Sequence, residues 1–100
     1  MAGDTERRVT AAGVDATVAA ELCEQRTRAP KAVAAGSYQE ALDDLGDGAL
    51  NAFLLKDVSA LEEIGALAEE VIEKAGDAYV KARGAEIRRR AQSYRCRSWR

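Results

Sequence analysis

Arginine and aromatic residues crowd the end of this 100-residue chain: Arg88, Arg89 and Arg90, then Arg95, Arg97 and Arg100, interleaved with Tyr94 and Trp99. Guanidinium forks bind phosphate oxygens bidentately, and aromatic rings offer stacking faces, so the pattern suits nucleic acid. It equally suits an anionic membrane surface, with Trp99 as interfacial anchor. It suits docking on an acidic protein as well, the protein's own body included. Basic residues at a helix C-terminus also oppose the macrodipole with no partner at all.

Other chemistries are closed off. The chain has no His, which removes Ser-His-Asp and Cys-His nucleophile systems, His metal ligands and imidazole acid–base work together. Cys23 and Cys96 stand far apart with no CxxC pair, too few thiols for a zinc site. They are read as one semi-buried and one exposed thiol, with a disulfide as the alternative in an oxidising compartment. Asp43, Asp44 and Asp47 beside Gly46 and Gly48 outline a calcium loop only superficially. A loop starting at Asp43 puts Leu45 at its third position and Leu54 where the bidentate Glu belongs. Glu62, Glu63, Glu69, Glu70 and Glu73 lack the Glu-x-x-His partners of a di-metal bundle. Phosphate-cradling glycine loops are missing. No enzyme, cofactor or metal site is expected.

The elements that carry these residues read as helices. Ala occurs 21 times, and no alternating β-branched run has useful length. Residues 1–13 show no sustained period and read as a flexible arm. A helix is expected from Asp15 as its cap, with Val14, Val18, Leu22 and Cys23 at helical spacing, a kink or restart at Pro30, and Gly36 at its end. Ser37 to Glu40 has the form of a capping box opening a short helix that ends near Gly46. Asp47-Gly48 then reads as a turn into another short helix with Leu50, Phe53, Leu54 and Leu55. Ser59 to Glu62 is a second capping box. It opens a heptad-like seam of Leu61, Ile64, Ala68, Val71, Ala75, Tyr79 and Ala82. Continued to Tyr94, this helix would span about 54 Å, with Gly76-Asp77 its weakest point.

Charge is divided along the chain. Residues 1–78 carry 7 basic and 16 acidic side chains, whereas residues 79–100 carry 8 basic and 1 acidic. Such a chain can pair head to tail with itself or offer two opposed faces to partners. An acidic body also repels phosphate everywhere except at the basic end. Leu, Ile, Val and Phe total 19, at the border of what a private core requires. No apolar run approaches a membrane span, and the N-terminus lacks the hydrophobic core of a Sec signal peptide. A cytoplasmic location or membership of a larger assembly is expected.

Three further patterns are Gly13-Val14-Asp15, Gly46-Asp47-x-x-Leu50-x-x-Phe53 and Ala75-x-x-Ala78-Tyr79. On these, residues 13–86 resemble the small helical-hairpin proteins associated with actinobacterial type VII secretion, the WXG100 and EspC-like group. The Trp-x-Gly turn of that group is absent, and Arg83 stands four residues after Tyr79 where its export signature has an acid. The resemblance therefore implies hairpin architecture and helix pairing, not export.

The expectation is an all-α protein: a small bundle or hairpin with short middle helices and one long C-terminal helix. It has an arm over 1–13, a helical domain over 14–87 and a basic tail over 88–100. Its expected function is non-enzymatic protein–protein interaction or assembly. The Ala-rich seam packs on a partner subunit or a second copy, and the basic tail docks on an acidic surface. The alternative is a small nucleic-acid-binding accessory protein acting through Arg88, Arg89, Arg90, Arg95, Arg97, Trp99 and Arg100; a membrane partner is not expected.

Overall fold

A computed structural model describes the backbone of residues 2–97 and the side chains of residues 15–96. Among these residues four α-helices follow one another: α1 (Ala2–Ala35), α2 (Tyr38–Leu54), α3 (Val58–Lys74) and α4 (Ala78–Arg97). No strand occurs among the described residues. The connections are only two or three residues long, so successive helices run antiparallel. α2 and α3 pack together at the centre. α1 lies against one side of that pair and α4 against the other, and among the described residues α1 and α4 do not touch.

Two helix ends share one device. Gly36 (φ 78°) donates to the Val33 carbonyl while Ser37 donates to Ala32, which closes α1. Lys56 (φ 55°) donates to Phe53 while Asp57 donates to Ala52, closing α2 the same way. This paired reversal needs a left-handed residue at its pivot, which glycine adopts freely and lysine does not. Lys56→Gly is therefore expected to raise the unfolding free energy by about 1 kcal/mol, measured by urea denaturation.

The middle and late segments differ from the sequence-based expectation, each for a physical reason. α2 runs unbroken through Gly46 and Gly48, so there is one middle helix of 17 residues rather than two short ones. Gly48 is buried, with Ile64 Cδ1 3.3 Å from where its β-carbon would stand, so glycine here permits close helix approach instead of a turn. Ser37 precedes α2 but makes no side-chain capping bond, and the cap of α3 is Asp57, not Ser59: Asp57 Oδ1 accepts from Ala60 N at 3.0 Å. The single long C-terminal helix is two. Ala75 takes an extended conformation (φ −72°, ψ 138°), and Asp77 Oδ1 accepts from Tyr79 N at 2.8 Å and Val80 N at 3.1 Å, starting a new helix.

α1 also departs from its expected bounds. It begins at Ala2, leaving Asp15 inside a helix rather than at its cap, and it continues through Pro30 without restarting. Proline removes one hydrogen bond to the preceding turn. Ala29 and Val33 on either side are buried, and their packing holds the helix across the gap.

The core is built from small residues. Leu42, Leu45, Leu61 and Val71 are its largest fully buried side chains, joined by Ala41, Ala49, Ala52, Ala60 and Ala68, all with no exposed surface. Alanine lets helix backbones approach closely, so little bulk is needed to exclude water between them. One buried polar contact sets the α1–α2 register: Asn51 Nδ2 donates to Gln25 Oε1 at 3.0 Å.

Candidate interaction face

The seam residues divide into two groups. Leu61, Ile64, Ala68, Val71 and Ala75 are buried in the chain's own core, where α3 is packed against α2 and α1 and, beyond the break after Lys74, against α4. Tyr79 and Ala82, beyond the break, are exposed on α4. The first five are thus covered by intramolecular neighbours: α4, folded back by the reversal at residues 75–77, supplies part of that cover, and α2 supplies another part, with Gly48 close against Ile64.

The basic C-terminal segment is helical through residue 97, and its arginines reach both neighbouring helices. Arg88 pairs with Glu69, and Arg95 Nη2 lies 3.1 Å from Glu62 Oε1, both on α3. Arg83 donates to Asp43 Oδ1 of α2 at 2.9 Å. Arg90 donates to Glu86 Oε1 one turn earlier at 2.9 Å, while Arg89 is exposed and has no ion pair among the described residues. The charge division of the sequence is therefore partly spent inside the fold, with basic α4 held against acidic α2 and α3. The Arg97 side chain, Trp99 and Arg100 lie outside the described residues. On the opposite side of the bundle, Arg26 donates to Glu63 Oε2 through Nε at 3.0 Å and Nη2 at 2.6 Å. That hydrogen bonding raises the Arg26 pKa above its ordinary value.

An open groove of about 530 Å³ runs between α2 and α4. Leu42 and Ile87 form its floor, with Gly46 opposite Ile87 Cδ1 and Leu50 and Tyr94 at one end. Asp43 and Asp47 line the α2 rim; Arg83 and Arg90 line the α4 rim. Phe53 and Tyr94 close the apolar end, ring centroids 4.5 Å apart and planes tilted by 36°. Among the described residues four large apolar side chains are exposed: Leu50 at 50% and Leu54 at 57%, one turn apart on α2, Val58 at 39% at the start of α3 and Tyr79 at 66% at the start of α4. Asp47 has no ion-pair partner among the described residues. The lining offers apolar contact and ion pairing.

Sequence reasoning did not single out this face, although a signal existed. Asp43, Asp47, Leu50 and Leu54 are spaced by four, three and four residues, one side of a continuous helix. Reading Gly46 and Gly48 as breakers splits that side in two. The three aspartates considered for a calcium loop lie on helix α2, and Asp44 Oδ1 accepts from Arg28 at 3.1 Å. Among the described residues, no group of three or more His, Cys, Asp or Glu side chains could hold a metal ion. Both cysteines are unpaired and exposed, so Cys23 is not the semi-buried thiol expected. Among the described residues, no helix is long and apolar enough to cross a membrane. Comparison with protein-family models, with curated proteins and with solved structures found no match to this chain.

Proposed function

We propose that this protein is a non-enzymatic helical interaction module whose partner lies along the groove between α2 and α4. The carrying observation is the exposure of Leu50 and Leu54 beside an apolar-floored groove, in a chain that covers most of its other large aliphatic side chains. Clustered exposed apolar surface rimmed by charge marks interaction sites. The seam on α3, the face first expected to meet a partner, is occupied from within; the recognition surface moves to the outer side of α2. Membership of a larger assembly, and helix pairing of the kind used by the WXG100 and EspC-like group, belong to the same proposal.

The nucleic-acid alternative has less behind it. Of its residues, Arg88, Arg90 and Arg95 already pair with carboxylates of the same chain, which leaves Arg89 the one unpaired arginine of that set among the described residues.

Purification of the tagged native protein beside a Leu50→Glu/Leu54→Glu variant, with quantitation of every co-purifying chain, tests the proposal. The wild type should retain a stoichiometric companion, counting untagged copies of itself. The variant should lose it while keeping its helical circular dichroism, since both positions are half-exposed or more. Equal recovery from both proteins would refute the groove as the binding face.

A further inference from the structure

We infer that the groove's occupant is a second copy of this chain, docked as a two-fold pair with α2 of each copy along α4 of the other. This rests on the groove reading above and adds the identity of the partner.

The inference comes from how charge is laid out across the groove. α2 and α4 run parallel and level: Asp43 meets Arg83 at 2.9 Å near one end, and Phe53 meets Tyr94 near the other. The α2 rim is acidic through Asp43 and Asp47, and the α4 rim is basic through Arg83 and Arg90. A two-fold axis lying along the groove exchanges the two rims without changing height. Every α2 carboxylate is then carried opposite the α4 guanidinium rim of the other copy. Asp47, unpaired among the described residues, falls between the levels of the other copy's Arg83 and Arg90. Leu50 and Leu54 fall opposite the stripe that ends at Tyr94. Glu86, the one acid on α4, is already bonded to Arg90.

A two-fold interface must be complementary to itself, and a surface divided lengthwise into an acidic and a basic half meets that requirement. An unrelated helix would have to carry both signs in the same lengthwise arrangement. Arg83, Asp43 and Arg90 lie on the surface with exposed ion pairs, so exchanging those pairs between copies costs little.

Charge exchange tests this against the intact protein. One variant carries Asp43→Arg/Asp47→Arg, the other Arg83→Asp/Arg90→Asp, and circular dichroism confirms that each remains helical. Sedimentation velocity should show the wild type dimerising below about 100 µM and each variant alone weakened roughly 100-fold, because every rim then meets like charge. Mixed in equal amounts, the two variants should associate again, since both rim contacts of the mixed pair regain opposite signs. A wild type that stays monomeric at about 100 µM overturns the second-copy assignment. The purification of the Leu50→Glu/Leu54→Glu variant still judges the groove itself, so the two failures are separable. A wild-type dimer indifferent to the exchanges, or variants that do not recover on mixing, overturns the two-fold docking.

Discussion

Leu61→Ala is expected to lower the unfolding free energy by about 3 kcal/mol, within the range of roughly 2–5 kcal/mol for leucine truncation in a packed core. Leu61 has no exposed surface and sits on α3 at the centre of the bundle. Truncation removes three carbons and leaves a cavity that tightly packed alanines cannot collapse into without shifting helix backbones. Against a total stability of about 5–15 kcal/mol, that is a large fraction. The melting temperature should fall by roughly 10–20 °C for a domain of this size. The loss should be the same at 1 and 100 µM protein in guanidinium or thermal unfolding, because every neighbour that covers Leu61 belongs to the same chain. A penalty that depends on concentration would mean that the seam faces another subunit.

Gly84→Val should be the most damaging change on α4, costing about 3 kcal/mol from steric overpacking and poorer helix propensity combined. A β-carbon at Gly84 would stand 2.9 Å from Ile72 Cγ1 and 3.4 Å from the Ala68 carbonyl oxygen. Ile72 Cγ1 lies near the backbone of a β-branched side chain, so it cannot swing aside, and α3 and α4 must separate. Gly65 provides the control. It sits in α3 with nothing within 4 Å of the corresponding point, and Gly65→Ala should stabilise by about 1 kcal/mol through helix propensity alone. Chemical denaturation of the two variants side by side should therefore give shifts of opposite sign. Equal shifts would contradict the close α3–α4 contact at Gly84.

Much of the architecture was legible because it depends on local chemistry. Gly36 ends α1 through a left-handed turn, as its residue type suggests, and Gly76-Asp77, the weakest point of the one long helix expected there, is where that helix divides in two. What was not legible depends on distant neighbours. Gly48 looks like a turn residue until Ile64 of α3 is seen against it. Pro30 looks like a boundary until the burial of Ala29 and Val33 is known. Ser59 fits a capping box better than Asp57 does by pattern alone, yet the turn closing α2 at Lys56 places Asp57 first. The same non-local logic governs the candidate site. The arginines of α4 stand out in the sequence, but their carboxylate partners on α3 and α2 do not. Nor do alanines advertise that they can cover a seam: that follows when α2 packs on one side of α3 and the break at residues 75–77 folds α4 back on another.

Amide hydrogen exchange across a protein concentration series measures this division of surfaces most directly. Amides in residues 61–74 of α3 should be strongly protected already at the lowest concentration, and should gain with concentration no more than the global stabilisation that dimerisation brings. Protection should increase with concentration in residues 43–54 of α2 and 83–94 of α4. Rapid exchange along α3 in dilute protein, slowed only as copies associate, would show that the seam depends on a neighbouring molecule and that the outer side of α2 is not the recognition face.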